Sequence, residues 1–566
     1  MYLFFEILKN LDSREKKKLF LILLLLITIF LLDILSIGIF FPIISLIIKK
    51  EFHINFLNFN LEKKDAIILF LFLLIIVFFT KNIIYLIFSY LKKKFFADLS
   101  NTFSARIMYF SLNQKYSDFL KKSNSEMLRN FSLIQEYVLI LENFLSLFIE
   151  SIILIFIFIL IIFTNFKVGI LILAVSSISY LISKIYLKPK LKKYGENINI
   201  LAEKLIQNYL DTLGSIKDLI IQKKQVFFIS GFKEVIKKSS LFNVKASFLM
   251  EMPRYVIEIL MIIFISSVIY FFISDSSDYE NVLVKIAFFV TLIFRAMPSI
   301  SRVIHLMSGL DFKVDLIKRV NQIILNLDKK KKFFYNNKLI NFKNITFKNV
   351  SFKYDNSPTF NLEKINFSLK KNDSIGIVGP SGGGKSTLID LISGLLSPTK
   401  GKIIINNKHY FNKKTISRLQ SDISYISQKN FLLSSTIKDN IAFGEKENNI
   451  NYEKINTALI YSRLYDFVNS KPEGLKYIVG DNGKNLSGGQ RQRLVLARSL
   501  YRDTNIILFD EATSALDNKT EKLIFKDIKN NFYGKKTLII CTHNINLLKF
   551  CDHIFKVERN TIFKIK

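Results

Sequence analysis

Cysteine and tryptophan are the scarcest residue types in this sequence of 566 residues, which has two cysteines and no tryptophan. Cys541 and Cys551 lie outside any metal-ligand spacing, so we expect reduced cytosolic thiols and no cysteine metal site. Residues 1–18 place their charges after the apolar residues and lack a small-residue cleavage site, which argues against a secretory signal. Their apolar residues suit a short helix along the inner membrane surface.

Acidic residues are outnumbered by basic ones, 46 against 80, which gives a formal net charge of +34. Such an excess is typical of nucleic-acid-binding proteins. However, the missing tryptophan and the abundance of Lys, Ile, Phe and Asn indicate an AT-rich genome, and membrane proteins gather Lys and Arg on their cytoplasmic side. We therefore expect membrane lipid, and no nucleic acid, among the partners.

Half of the residues are hydrophobic, and nearly all long apolar runs lie before about residue 310. The sequence predicts a transmembrane domain at 1–330 and a water-soluble α/β domain at 340–566. Six spans are predicted, at about 19–48, 66–91, 138–163, 168–187, 255–273 and 282–309.

The loops predict the orientation. Basic segments follow the second and fourth spans, whereas residues 274–281, SDSSDYEN, are acidic. By the positive-inside rule both termini are cytoplasmic, which suits a bacterial inner membrane. The segments 92–137 and 188–254 are too long for turns, so we expect helices that extend toward the soluble domain. The segment 49–65 suits an external amphipathic helix or a plain loop equally well.

Four cations lie in or beside the predicted spans: Lys81, Arg254, Arg295 and Arg302. A charge within a membrane costs roughly 2.5–3.5 kcal/mol, so such residues are usually functional. Arg295 and Arg302 are seven residues apart and would share a helix side, although Pro298 between them can kink the helix. Together the four cations suggest a positively lined cavity for an anionic head group.

Structural roles for these cations remain open. Snorkelling from a helix end is one alternative. Arg254 can form an i,i+4 pair with Glu258. Asp33, Glu142 or Glu150 can neutralise some of the cations across helices.

A phosphate-binding loop follows the strand-like run DSIGIVG. It has the pattern G-x-x-x-x-G-K-[ST] and consists of Gly379, Pro380, Ser381, Gly382, Gly383, Gly384, Lys385, Ser386 and Thr387. The glycines let backbone amides close around phosphates at a helix N-terminus. Lys385 would reach the β and γ phosphates, and Ser386 would offer its hydroxyl to Mg²⁺.

A second motif, NIILFDEATSALD at 505–517, ends an apolar strand in two carboxylates. Asp510 at the strand end suits Mg²⁺, and Glu511 is placed to polarise an attacking water. A surface carboxylate pair is the alternative, but it leaves the four preceding apolar residues unexplained.

A third motif, NLSGGQRQRLVLARSL at 485–500, offers Ser487, Gly488 and Gly489 as anion donors at a helix start. LSGGQ, ending at Gln490, resembles the signature of ATP-binding cassette proteins. The other parts of that family's pattern occur in order over 340–566: Tyr354, Gln428, Asp517 and His543.

The resemblance implies ATP and Mg²⁺ as cofactors and a head-to-tail pair of nucleotide domains around two ATP molecules. Tyr354 would stack on adenine, Gln428 would sense Mg²⁺, and Asp517 would contact the opposite subunit. Glu511 would act as the catalytic base, with His543 and Lys385 at the γ-phosphate. Asn544 follows the histidine where the family often has arginine, which leaves the ATPase prediction unchanged.

The first 330 residues resemble the membrane part of exporters of this superfamily. Segments 115–130 and 208–224 resemble the loops that carry coupling helices. The fold class implied is a six-helix all-α transmembrane domain followed by an α/β P-loop nucleotide-binding domain. One chain would then be a half-transporter, and a homodimer is the expected state.

The segments MPRYVIE at 252–258 and FRAMPSISRVI at 294–304 resemble the PglK-like flippases of lipid-linked oligosaccharides. This resemblance implies a polyprenyl-pyrophosphate-linked oligosaccharide for protein glycosylation as cargo. Export of another amphiphile, such as a lipid A precursor, a drug or a peptide, is the alternative. A nucleotide-gated channel or regulator is disfavoured by Glu511 and the intact signature.

Overall fold

The computed structural model describes residues 13–48, 63–164, 183–275, 279–329, 342–355, 361–406, 413–428, 431–513, 515–542, 544–549 and 551–566, with a few isolated positions between these ranges. The chain divides into two compact units. The first comprises residues 1–114 and 121–331, and the second comprises residues 115–120 and 332–566.

The described part of the first unit is helical because its sequence consists largely of long apolar runs and amphipathic stretches of helical length, and the helices continue through Pro42, Pro253 and Pro298. Its helices, together with the short α3 of the second unit, are α1 (Ser13–Ile48), α2 (Lys63–Asn113), α3 (Tyr116–Leu120), α4 (Asn124–Thr164), α5 (Lys188–Gly214), α6 (Ile216–Ile221), α7 (Gln225–Asp275), α8 (Tyr279–Phe312) and α9 (Val314–Lys329). A π-helical turn at Ser183–Leu187 precedes α5.

Four of the described helices are long and apolar enough to cross a membrane, at Ser13–Ile48, Lys64–Asn113, Asn124–Phe163 and Val282–Phe312. They cover the predicted first, second, third and sixth spans. The predicted fifth span, 255–273, lies within α7. Most of the predicted fourth span, 168–187, and the segments 1–12 and 49–62 lie outside the described residues.

Many apolar side chains of α2 face outward. Phe72, Phe79 and Leu86 are each more than 60% exposed. Such a surface is unfavourable in water and suits lipid, where helices satisfy their own backbone hydrogen bonds. The outward face of α2 therefore fits a membrane span.

The long segments between spans that the sequence predicts to be helical form α2 beyond residue 91, the start of α4, α5 and most of α7. Helices α5 and α8 pack tightly where α5 passes the end of α8. A Cβ on Gly195 would lie only 1.8 Å from the Phe312 carbonyl oxygen there. A polar chain joins α4, α5 and α9: Arg129 donates to Asn199 at 2.7 Å, and Asn199 donates to Asp315 at 3.2 Å.

The second unit contains two sheets. Its strands are β1 (Asn344–Phe352), β2 (Leu362–Lys370), β3 (Ser374–Val378), β4 (Lys400–Ile405), β5 (His409–Tyr410), β6 (Ile423–Ile426), β7 (Ile506–Asp510), β8 (Thr537–Cys541), β9 (His553–Glu558) and β10 (Thr561–Lys564). The larger sheet has the order β10-β9-β3-β8-β7-β6, and the smaller has the order β2-β1-β4-β5. The smaller sheet is antiparallel.

Helices cover the larger sheet because its inner strands are apolar on both faces, and every residue of β7 and β8 is buried. The helices of this unit that follow β1 in sequence are α10 (Lys385–Ile392), α11 (Lys413–Ser421), α12 (Ile437–Ile441), α13 (Tyr452–Tyr461), α14 (Tyr465–Asn469), α15 (Gly488–Tyr501), α16 (Asn518–Phe532) and α17 (Ile545–Leu548). The predicted fold class, an apolar helical domain followed by an α/β nucleotide-binding domain, is confirmed by a structural comparison given below.

Parallel pairing brings the chemical motifs together. Strands β3, β7 and β8 run side by side, and β7 pairs with β8 up to Asp510 opposite Cys541. The carboxyl ends of parallel strands share one edge, where α/β proteins bind ligands. The phosphate loop after β3 and the carboxylates ending β7 therefore lie at the same edge.

Candidate functional site

The phosphate loop adopts backbone conformations that favour glycine. Gly382 and Gly384 have φ of 78° and 101°, and Gly384 is the residue that caps α10. A Cβ on Gly379 would lie 2.2 Å from the Val557 carbonyl oxygen, and one on Gly384 would lie 2.9 Å from the Leu362 side chain. These positions leave a cradle of backbone amides at the start of α10.

Lys385 is the first residue of α10 and is only 5% exposed. Its Nζ donates to the carbonyl oxygens of Gly379 and Pro380 at 3.0 and 3.2 Å. It also lies 3.5 Å from Glu511 Oε1. The ammonium group is therefore held inside the loop, beside the second carboxylate of the NIILFDE motif.

Asp510 ends β7 and is 4% exposed. Ser386 Oγ donates to its Oδ1 at 3.4 Å, and the Tyr425 hydroxyl donates to its Oδ2 at 3.1 Å. Burial raises the pKa of Asp510, while both hydrogen bonds lower it. Burial also raises the pKa of Tyr425, so its phenol stays protonated and donates.

Glu511 has a φ of 48°, an uncommon value for a residue with a side chain. Its amide donates to the Cys541 carbonyl oxygen at 3.0 Å, which anchors it to β8. Gln428 Nε2 donates to Glu511 Oε2 at 2.7 Å. Strain of this kind clusters at functional sites, and here it turns the carboxylate toward Lys385 and Gln428.

The signature segment begins helix α15 with a capping box. The Ser487 hydroxyl accepts from the Gln490 amide at 3.2 Å, and Gln490 Oε1 accepts from the Ser487 amide at 2.9 Å. Ser487 and Gly488 are exposed. The helix start is therefore ordered and presents its amides outward.

Two hydrogen bonds of Gln492 join the signature helix to the segment after β7. Gln492 Oε1 accepts from the Ala515 amide at 2.9 Å, and Gln492 Nε2 donates to the Glu511 carbonyl oxygen at 3.5 Å. The two segments also approach closely at Gly489, where a Cβ would lie 3.4 Å from the Ala515 carbonyl oxygen. Asp517 caps α16 by accepting from the Thr520 amide at 2.9 Å. Backbone hydrogen bonding to Thr520 lowers the pKa of Asp517, so its carboxylate is ionised.

Tyr354 is half-buried next to α10. Its hydroxyl lies 3.4 Å from Thr387 Oγ1, and its ring meets Phe352 edge-on at 4.8 Å. Pro380, Ser381 and Gly383 also belong to the loop described above. His543, predicted at the γ-phosphate, lies outside the described residues.

Sequence reasoning missed Tyr425 and Asp390. Asp390 lies on α10, where burial and then Asp510 raise its pKa to about 7. Tyr425 belongs to β6, whose pairing with β7 places Tyr425 opposite Leu508. Only a register for β6 beside β7 would have pointed to this tyrosine.

The predicted cofactors fit these residues. The loop packs so closely on Val557 and Leu362 that a Cβ at Gly379 or Gly384 would disturb it, as expected of a glycine loop whose amides wrap a phosphate. The Ser386 hydroxyl and the Asp510 carboxylate converge as hard oxygen donors, the kind that Mg²⁺ prefers. Gln428 offers a further oxygen near Glu511.

In the first unit, two of the four predicted cations share one carboxylate. Asp33 on α1 is 5% exposed, and its Oδ1 lies 2.6 Å from Lys81 Nζ and 2.9 Å from an Arg295 guanidinium nitrogen. These three residues join α1, α2 and α8. Glu142, another carboxylate suggested as a partner of these cations, instead pairs with Lys92 at 3.3 Å.

The other two cations line a cavity of about 870 Å³. Arg302 pairs with Glu150 across helices at 2.8 Å, and Arg254 pairs with Glu258 along α7 at 3.1 Å. Glu251 lines the same cavity. Three carboxylates therefore outnumber two guanidinium groups among the described lining residues, and the four predicted cations do not form one positively lined site.

Comparisons with known proteins identify the family to which a large part of the second unit is similar. The sequence profile of the ABC transporter family matches residues 362–514. The ATP-dependent lipid A-core flippase of Paraburkholderia xenovorans (strain LB400) is 35% identical over 212 residues, which are 37% of this chain and 35% of that relative. The chloroplastic ABC transporter B family member 29 of Arabidopsis thaliana is 35% identical over 210 residues, 37% of this chain and 33% of that relative.

These matches span about a third of the length of the relatives. The whole chain is similar to a solved structure described as a bacterial Atm1-family ABC exporter with ATP bound. That similarity has a TM-score of 0.79, covers 96% of this chain and 95% of the other, and has 19% sequence identity. Residues 362–514 are therefore an ABC transporter domain, within a chain that has the fold of an ABC exporter.

Proposed function

We propose that this chain is one half of a homodimeric exporter that hydrolyses ATP to move an amphiphile across a membrane. The arrangement of Lys385, Ser386, Asp510 and Glu511 at one sheet edge supports this proposal most directly. The ABC exporter fold and the apolar helices agree with it. We further propose a bacterial inner membrane, with the nucleotide-binding domain and both termini cytoplasmic.

The geometry supports a chemical role for each of these side chains. Amides of the loop would bind phosphate oxygens, and Lys385 would exchange its backbone contacts for them. Ser386, Asp510 and Gln428 would hold Mg²⁺, which neutralises charge on the transferring phosphoryl group. Glu511, oriented by Gln428, would accept the proton of the attacking water. Tyr354 would pack on adenine.

Two exposed features support dimerisation. Ser487 and Gly488 present the start of the signature helix to solvent, where it would meet the ATP of a second copy, with Gly489, Gln490 and Asp517 nearby. Helix α6 carries exposed Ile220 and Ile221, with exposed fractions of 58% and 78%. Apolar side chains this open on a non-membrane helix suit a partner surface.

The short helix α3 supports coupling between ATP hydrolysis and transport. It lies between α2 and α4 in sequence but belongs to the unit that contains the nucleotide-binding domain. Burial, followed by Asp390 and Tyr354, raises the pKa of Tyr116 on this helix. We propose that α3 and α6 are the coupling helices expected at 115–130 and 208–224.

We propose a polyprenyl-pyrophosphate-linked oligosaccharide as cargo, with a lipid A-type amphiphile as the alternative that the flippase relatives favour. Arg302 lines the cavity and is half exposed, so its guanidinium group can pair with an anionic group in the head of either cargo.

Proteoliposomes loaded with either lipid should show ATP-dependent flipping. Arg302→Ala should reduce flipping and leave basal ATP hydrolysis unchanged. Faster flipping of lipid A than of the pyrophosphate-linked glycan would reject the oligosaccharide and retain the exporter.

The ATPase is tested with Glu511→Gln in the purified full-length protein. This variant should bind ATP normally and lose hydrolysis by about 10²–10⁴-fold, because the general base is lost. Glu473→Gln, which alters an exposed carboxylate of the same unit, is the matched control and should hydrolyse ATP normally. Retained turnover in Glu511→Gln would contradict the assignment of the base.

A further inference from the structure

The cavity of about 870 Å³ in the first unit carries charges of both signs. Helix α7 lines it with Glu251, Arg254, Tyr255 and Glu258, which lie at i, i+3, i+4 and i+7 and so share one helix face. Its other described lining residues include Tyr85 of α2, Glu150 of α4 and Arg302 of α8.

Ion pairing inside the cavity leaves negative charge in excess. Arg254 is matched by Glu258, and Arg302 is matched by Glu150. Among the described residues Glu251 has no ion-pair partner. With three carboxylates against two guanidinium groups, the described lining carries one more negative than positive side chain, so it can accept a positive group together with an anionic one.

Glu150 adds an independent observation. Its side chain is 14% exposed, and one of its oxygens pairs with Arg302. The other oxygen, Oε2, is buried and has no hydrogen-bond partner among the described residues. Buried polar atoms are nearly always satisfied, so this oxygen calls for a donor from a ligand or water.

The cavity also offers hydrogen-bond donors for an anionic group and aromatic faces for a neighbouring cation. Arg254 and Arg302 keep half or more of their side-chain surface exposed, 65% and 54%, so guanidinium donors remain for a phosphate. Tyr85 and Tyr255 are 53% and 59% exposed and can pack against an ammonium group.

We infer that the cavity binds a zwitterionic head group, in which a protonated amine lies next to a phosphate. The amine would meet Glu251 and the Oε2 atom of Glu150, and the phosphate would meet Arg302 and Arg254. This inference rests on the proposed transport of an amphiphile and narrows its head group to one that carries an amine beside its phosphate; a pyrophosphate head without an amine would fit this cavity less well.

The test is equilibrium binding of radiolabelled lipids to the purified full-length protein in a neutral maltoside detergent, without nucleotide. The probes are phosphatidylethanolamine, its N-acetyl derivative and phosphatidic acid, all with the same acyl chains. The wild-type protein should bind phosphatidylethanolamine about tenfold more tightly than either other lipid, because an ion-paired hydrogen bond is worth about that factor.

Glu251→Gln should remove this preference, and Glu234→Gln should keep it. Glu234 is the matched control because it lies on the same helix, is exposed, and pairs with Lys238 at 2.6 Å away from the cavity lining. Equal binding of the amine and N-acetyl lipids by the wild-type protein would overturn the inference, as would a preference that survives Glu251→Gln. Because binding is measured without ATP, a failure of hydrolysis or flipping would instead overturn the proposed function.

Discussion

Replacing Asp33 should destabilise the helical unit far more than replacing either cation that it binds. Asp33 is 5% exposed, and one of its oxygens lies 2.6 Å from Lys81 and 2.9 Å from Arg295. Asp33→Asn keeps the side-chain shape but leaves two cations facing each other. Breaking a buried ion pair costs about 3–5 kcal/mol. Because the cation side chains are 14% and 30% exposed, we expect a value near the lower end, about 3 kcal/mol.

Lys81→Met should behave differently. It leaves Asp33 with Arg295, a one-to-one pair, and methionine retains most of the apolar stem of lysine. The ammonium also lies 4.9 Å from the centre of the Phe78 ring, a contact worth roughly 0.5–1 kcal/mol that would be lost. We therefore expect a change of less than about 1 kcal/mol in either direction.

The assay is the thermal midpoint of the purified full-length protein in detergent, at one fixed heating rate. A loss of about 3 kcal/mol corresponds to a decrease of roughly 6–12 °C. The matched control is Asp98→Asn, which breaks an equally short but exposed pair with Lys18 at 2.6 Å and should cost less than about 1 kcal/mol. Equal destabilisation by Asp33→Asn and Lys81→Met would refute the reasoning that one carboxylate neutralises two cations.

Three further predictions concern the nucleotide-binding unit. Burial raises the Asp390 pKa from 3.8 to about 7, so its ionisation destabilises the fold as pH rises from about 4 to 7. Asp390→Asn should therefore stabilise the protein by roughly 2 kcal/mol at pH 8, after allowance for solvent screening, and progressively less toward pH 4. Thermal midpoints of both proteins across this pH range test this, and a difference that does not depend on pH would contradict it. Gly384→Ala should abolish ATP binding in equilibrium titrations, because φ is 101° and the new Cβ would lie 2.9 Å from a leucine side chain. Cys541 and Cys551 should resist maleimide in the folded protein, because burial raises their pKa values to about 12 and about 11; rapid labelling would contradict the burial of these thiols.

The ATP site was predictable from sequence where its chemistry is local. The loop at 379–387 and the carboxylates of Asp510 and Glu511 lie in short motifs, each tied to one strand end. Gln428 was assigned through the family resemblance, and it lies 83 residues from the Glu511 side chain that it contacts. Tyr425 was missed because its role depends on strand order, which no short motif encodes.

Helix lengths show a second limit. The sequence predicts helix on both sides of residue 91, but not that one uninterrupted helix, α2, runs through this point to Asn113. Hydropathy detects where the sequence becomes polar, whereas a helix ends only where its backbone hydrogen bonds stop. The residues after 91 include lysines and other good helix formers, so the helix continues beyond the apolar segment.

The sequence named the four cations and offered Asp33, Glu150 and Glu258 among the carboxylates that could neutralise them, and the structure confirms these three partners. The sequence did not point to Glu251. Arg295 and its partner Asp33 are 262 residues apart, so only helix packing determines the pair. Each of the four cations pairs with a carboxylate, which lowers the cost of placing it in or beside a span. Once the arginines of the cavity are paired, its net charge depends on the remaining carboxylate, Glu251. Arginines within a span therefore indicate where a polar site lies, while the selectivity of that site depends on which carboxylates the fold places beside them.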